Sequence, residues 1–328
     1  MRAYFSDRFA LPLPAGHRFP MAKYTRLREA LEVCSPGLAL CEAPAATEAQ
    51  LALVHDAGWI ERMLHGGLSV REQGSIGFPW SPAMAERSLR SVGATLAACE
   101  AARNDGFSAN LAGGTHHAYA DRGEGFCCFN DFAVAARWVQ AQGWAKQILI
   151  VDLDVHQGNG TARIFRGDSS VFTLSIHGAR NFPFSKESGD ADYALPDATG
   201  DEAYLDTLER ALGEVARRFR PDWVLYLAGA DVYHADRLGR LALSKEAIAH
   251  RDEGVMRWCQ SAGLPCVIAM GGGYADPIDA TVAIHAQTVR LALRLASSRP
   301  GSGRWEPSVG GLPHFPGDAH AEQRAPKA

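Results

Sequence analysis

Five short apolar runs, at residues 108–112, 147–152, 171–176, 223–227 and 265–270, are bounded by turn or helix signals, and they constrain the fold more than any other feature. Each is short and nearly continuous in its hydrophobicity, the pattern of a strand buried on both faces. Helical periodicity fills the gaps. Leu205, Leu208, Leu212, Val215 and Phe219 recur at helical spacing within 204–219, and Pro221 stops that helix before the next run. Further helices are predicted over 84–103, over 279–297, and from an N-cap at Ser244 to 261, where Gly263 and Pro265 follow as terminators. Such alternation predicts a doubly wound α/β fold, a central and mainly parallel sheet between two helical layers. A short AYF segment at 3–5 is expected to add an edge strand.

At 328 residues the chain can bury one large core. Its net charge of -4 offers no general attraction to nucleic acid or anionic membrane, so neither is expected as a partner. No apolar run is long enough to span a bilayer, and the N-terminal MRAYFSDRFALPLP carries an acid and prolines where a secretory signal needs continuous apolar sequence. The seven cysteines are scattered without a CxxC pair, which suits a reducing compartment, and a soluble cytoplasmic protein is expected. Residues 1–298 read as one domain. The Pro- and Gly-rich stretch 299–328, with Trp305 and Phe315, reads as a tail. Oligomeric state is left open.

In open parallel sheets ligands bind beyond the carboxyl ends of the strands, and four of the five runs deliver reactive side chains there. GGTHH follows the first run, DLDVH the second, AGAD the fourth and GGGY the fifth. Asp152, Asp154 and His156, two residues apart, would project to one side of a continuing strand, and carboxylate with imidazole suits a divalent ion. Asp231 supplies a third ligand and leaves a fourth position open, as catalytic zinc requires. His234 is its rival, and Asp236 is expected to be structural. His116 and His117 suit acid and base roles, with Asp152 and Asn159 available to orient their rings. Tyr274, presented by three glycines, can donate a hydrogen bond to a developing oxyanion. Each residue also has an ordinary alternative: a solvated loop for DLDVH, a turn cap for Asp231, a core pair for the histidines and a core tyrosine for Tyr274.

Taken in order, GGTHH, GFCCFND, DLDVHQGNG, LAGAD and GGGY resemble the zinc-dependent histone deacetylase family of the arginase/deacetylase superfamily, over residues 4–294. The family also includes acetoin-utilisation proteins and acetylpolyamine amidohydrolases. The resemblance implies an arginase-like three-layer α/β/α fold, with Asp154, His156 and Asp231 holding zinc and Tyr274 polarising the amide carbonyl. It makes His117 the principal general base and acid, and sets His116 against Asp152 in an electrostatic role. Phe126 matches one wall of the family's acyl-lysine tunnel, Phe182 the opposite wall, and the Gly125 carbonyl a substrate contact. A structural K⁺ would involve Asp152, Asp154, His156, Ser175 and the backbone of Ile176.

Departures from the pattern narrow the placement. Gln157 and Asn159 stand where class I members usually carry His and Asp, so the segment resembles class IV. Gly158 replaces the second aspartate of the arginase DxHxD motif, which implies one catalytic metal. Leu238 occupies the position of the acidic gatekeeper of polyamine deacetylases, and a neutral rim gives a polyamine cation no preference. The expected protein is therefore a metal-dependent amidohydrolase that removes acetyl or longer acyl groups from acyl-lysine side chains, its native metal open between Zn²⁺ and Fe²⁺. One rival is a deacetylase of small acylated amines such as acetylpolyamines. Another, of a different class, is a non-catalytic acyl-lysine binding module.

Overall fold

The computed structural model describes residues 1–14 and 16–298; the expected tail at 299–328 lies outside the described residues. Eight strands build one sheet: β1 (Arg2–Phe5), β2 (Ala39–Glu42), β3 (Phe107–Asn110), β4 (Ile148–Asp152), β5 (Val171–Gly178), β6 (Ala191–Leu195), β7 (Trp223–Gly229) and β8 (Cys266–Gly271). Their order is β2-β1-β3-β8-β7-β4-β5-β6, and every pairing is parallel. All five apolar runs are strands. The AYF segment lies in β1, but β1 is not an edge, because β2 pairs along its outer side with Arg2 opposite Ala39. The true edges, β2 and β6, are partly exposed and short.

Alternate residues of the inner strands feed two cores, one on each face. Leu149 and Val151 of β4 pack with helices Ala22–Cys34, Asp201–Arg218, Lys245–Ser261 and Asp279–Ser297. Ile148 and Ile150 face the other way, toward Ala57–His65, Pro82–Asp105 and Asp131–Ala141. The four predicted helices are present, those at 244–261 and 279–297 with the expected ends and the other two with shifted ones. Ser244 caps its helix as expected, its Oγ accepting from the Ala247 amide at 3.0 Å. The helix expected from 84 starts at Pro82 instead, because Ser81 accepts from the Met84 amide and proline suits the first turn.

One buried ion pair ties this scaffold to the strand ends. Arg251, fully buried on Lys245–Ser261, donates through Nη1 to the carbonyls of Leu153 (3.1 Å) and Gly229 (2.7 Å). Those residues immediately precede Asp154 and Ala230, where β4 and β7 give way to functional loops. Asp252 beside it accepts from Arg251, from the Tyr226 hydroxyl (2.5 Å) and from the Thr288 hydroxyl (2.5 Å). Among the described residues no helix is long and apolar enough to cross a membrane.

Candidate active site

Strands β3, β8, β7 and β4 are consecutive neighbours, so the segments after their carboxyl ends converge. Asp154 and His156 follow β4, and Asp231 follows β7. His156 Nδ1 lies 2.9 Å from Asp154 Oδ1 and 3.3 Å from Asp231 Oδ2. These three form the metal-competent cluster found among the described residues, with one donor atom from each within 4.8 Å of the others. Asp152 does not join them. The strand ends at Asp152, so the alternation that would align all three acidic and imidazole positions stops there, and its carboxylate turns to His116. His234, the rival ligand, is exposed and packs its ring on Tyr233.

The chemistry of the cluster fits a divalent cation. Asp231 Oδ2 is buried and has no hydrogen-bond partner among the described residues. Burial, followed by the charge of Asp154, pushes the Asp231 carboxyl up to about 7. Burial opposes a charge on His156, yet its hydrogen bond to Asp154 and the nearby Asp231 carboxylate carry its pKa to about 10. Two buried carboxylates facing one imidazole thus demand positive charge at their centre, and an oxygen, nitrogen, oxygen set is what Zn²⁺ or Fe²⁺ accepts.

The histidine pair is oriented as the sequence suggests. His116 Nδ1 lies 2.6 Å from Asp152 Oδ2, and His117 Nδ1 lies 2.7 Å from Asn159 Oδ1. Burial works against protonation of His116, but the Asp152 charge and hydrogen bond outweigh it and its pKa is raised. His117 moves the other way: burial, then the charges of His116 and His156, hold it well below the ordinary range. The two neighbouring imidazoles are therefore shifted in opposite directions, His116 toward its charged form and His117 toward its neutral one. Asn159 is itself held by Glu124, whose Oε1 accepts from Nδ2 at 2.5 Å, and by the Tyr119 hydroxyl at 3.0 Å. That pairing fixes the amide so that Oδ1 faces His117, which leaves Nε2 as the free acceptor of the ring. Gln157 has no part in this network; it binds the Glu187 backbone and Asp192.

Tyr274 completes the floor. Its backbone amide donates to Asp236 Oδ2 at 2.6 Å, while Asp236 Oδ1 accepts from the amides of Leu238 and Gly239, so Asp236 is structural as expected. Gly272 takes a left-handed φ of 55°, and a Cβ there would lie 2.0 Å from Asp231 Oδ2. Burial, then the charges of Asp231 and Asp154, raise the phenol pKa well above its usual value, so it stays protonated.

A cleft of about 650 Å³ leads from these groups to solvent. Phe126 and Phe182 both line it, as do Gly125 and Leu238. Gly125 is wedged between the His117 and Phe182 rings, where a Cβ would stand 2.6 and 3.0 Å from their nearest atoms. Phe126 has a positive φ of 67°, unfavourable for a residue with a Cβ, and is held there by the hydrogen bond its amide N–H donates to the Ile76 carbonyl at 2.7 Å. Phe182 meets the His117 ring edge-on at 4.9 Å. Ser175 lies opposite Asp152 in the β4–β5 register, with its hydroxyl 2.9 Å from His177 Nδ1.

The model of the Histone deacetylase domain family matches residues 17–290. The chain belongs to the histone deacetylase family. Membership carries hydrolytic deacetylase activity of this type without fixing the acyl group or its carrier. An uncharacterized protein of Picosynechococcus sp. is 40% identical over 293 residues, covering 87% of this chain and 95% of that one. The histone deacetylase-like amidohydrolase of Pseudomonas aeruginosa is 29% identical over 285 residues, covering 81% and 74%. Among solved structures, a histone deacetylase homologue from Aquifex aeolicus superposes with a TM-score of 0.76 at 25% identity, covering 91% of this chain and 84% of that chain. These agree with the arginase-like α/β fold.

Sequence reasoning missed three members of this deacetylase site. Glu124 acts one amide removed from His117, Tyr119 flanks it, and Arg251 lies behind the sheet. Glu124, directly before GFCCFND, and Tyr119, two residues after GGTHH, had a visible signal in their closeness to a motif; Arg251 had none.

Proposed function

We propose that this protein is a single-metal amidohydrolase that removes acyl groups from lysine side chains, with a class IV-like arrangement around its histidines. The observation that carries the reading is the convergence of Asp154, His156 and Asp231 with a neutral His117 and a protonated Tyr274 at the bottom of one aromatic-walled cleft. Asp154, His156 and Asp231 would hold the ion, which, when bound, supplies Lewis acidity toward the acyl carbonyl and lowers the pKa of water.

The remaining steps belong to the chain's own groups. His117, neutral and with Nε2 free, takes a proton from the attacking water and returns it to the departing amine. His116, drawn toward its charged form by Asp152, contributes positive charge beside the reacting centre. Tyr274 donates its phenolic hydrogen to the oxyanion as charge develops. Phe126 and Phe182 wall the acyl-lysine stem, and the Gly125 carbonyl accepts its amide hydrogen. Asn159, backed by Glu124, orients His117 without placing a carboxylate directly on the ring.

A structural K⁺ is proposed at Asp152, Asp154, His156, Ser175 and Ile176, supported by the adjacency of Asp152 and Ser175 on paired strands. The single catalytic domain is proposed to span 1–298. Seven free cysteines support a cytoplasmic location. The rival reading as an acetylpolyamine deacetylase gains nothing from a cleft mouth with Leu238 at the gatekeeper position. The non-catalytic binding module gains nothing from a complete acid, base and oxyanion set.

Turnover of a fluorogenic acetyl-lysine peptide should vanish on chelation, return with Zn²⁺ or Fe²⁺, and fall about 10²–10³-fold in kcat for Tyr274→Phe. Activity indifferent to both treatments rejects the reading.

A further inference from the structure

The mouth of the cleft is cationic in a chain that is acidic overall. Arg18, Arg180, Arg237 and Arg240 line it, and no Asp or Glu stands among its lining residues. These arginines come from three separate segments: the stretch before helix Ala22–Cys34, the loop after β5, and the loop after β7. They therefore bring positive charge to the opening from separate parts of the chain.

Their charges are poorly compensated. Arg180 and Arg240 share one carboxylate, with Nη1 atoms 3.4 and 3.1 Å from Asp197 Oδ2, and their side chains remain 75% and 51% exposed. Arg237 donates through Nε to the Tyr274 carbonyl, which carries no charge, and is exposed. Arg18 is exposed and has no hydrogen-bond or ion-pair partner among the described residues. Asp236 lies beneath this rim, but it is buried and both its oxygens accept backbone amides. Lys186, on the same loop as Phe182, adds a further cation whose hydrogen bonds go to the carbonyls of Asn181 and Pro183. The sum at the opening is positive, against a whole-chain charge of -4.

We infer that this site selects acyl-lysine segments flanked by acidic residues, the rim arginines pairing with carboxylates on either side of the lysine that enters the cleft. The inference rests on the proposed acyl-lysine hydrolysis and adds to it the charge of the carrier. Rim charges act mainly on encounter and on partner choice, and screening by salt weakens them over about 8 Å at physiological ionic strength. Basic segments and polyamine cations are disfavoured by the same field. An extended polypeptide carrying several carboxylates can pair with more of the four guanidinium groups than a single small acid can.

The test uses the metal-loaded full chain and three acetyl-lysine peptides that differ only in having Glu, Gln or Lys at the two positions on each side of the acetyl-lysine. At low ionic strength kcat/KM should rank Glu over Gln over Lys, with roughly tenfold between the extremes, the scale of a few exposed charge pairs. Raising the salt should compress the ranking, and Arg18→Glu combined with Arg237→Glu should reverse it. Equal or better turnover of the Lys-flanked peptide, or a Glu preference untouched by salt and by the double substitution, overturns the inference. Chelator-sensitive turnover of the Gln-flanked peptide keeps the hydrolytic reading even then, whereas no turnover of any peptide removes both.

Discussion

The floor and the mouth of the cleft are built on opposite principles. The floor is assembled from the ends of four adjacent strands, is almost wholly buried, and gives nearly every polar group a fixed partner. The mouth is made of loops, is exposed, and leaves guanidinium groups with shared or uncharged partners. Chemistry that depends on placement to a fraction of an ångström sits where the backbone cannot move, and recognition that works through a field sits where it can. Substitutions in the two regions should therefore differ in kind: stability and pH dependence at the floor, substrate ranking at the mouth.

The largest effect is expected behind the floor. Arg251→Met leaves the Asp252 carboxylate buried without its cation and frees the Leu153 and Gly229 carbonyls, so unfolding free energy should fall by about 3–5 kcal/mol in denaturant titration. A loss below about 1 kcal/mol would show that the strand ends hold themselves.

Next comes the pH profile. His117 works as a base only when neutral, so activity is lost as pH falls through its pKa, which burial and then the charges of His116 and His156 hold low. Asn159→Asp, made with Glu124→Gln to avoid opposed carboxylates, favours the charged imidazole. The acidic limb of kcat/KM should then move to higher pH by about 1–3 units. A stationary limb argues against His117 as the base.

The smallest effect belongs to the mouth. Leu238→Glu sets one carboxylate among the arginines, and acetylpolyamine turnover relative to acetyl-lysine peptide should rise up to about fivefold, the scale of an exposed ion pair. A ratio that does not move would show that Leu238 does not govern the entrance.

The same contrast explains what could be read from the sequence. Strands buried on both faces write themselves as continuous apolar runs, and the residues just past them, His117, Asp154, Asp231 and Tyr274, were legible because parallel topology delivers every strand end to one side. The edge strands β2 and β6 were missed because ALCE and ADYAL are short and half exposed, so neither periodicity nor hydrophobicity singles them out. Glu124 and Arg251 were missed for another reason. Their roles exist only through contacts across 35 and 22 residues of chain, to Asn159 and Gly229, and no local spacing encodes such a meeting. The charge of the mouth was likewise diluted: four arginines from distant segments vanish in a net charge of -4.

The strand order has a consequence for how the molecule comes into being. β8, the last of the described strands, sits in the middle of the sheet between β3 and β7. Until residue 271 has left the ribosome, the nascent chain holds two half-sheets with unprotected inner edges, which are templates for pairing with other chains. The turn that carries Tyr274 follows directly, so one stretch of chain delivers both the central strand and the phenol. A chain that stops before that point lacks both the strand that joins the half-sheets and the oxyanion donor, and strand edges left open in this way favour association with other chains.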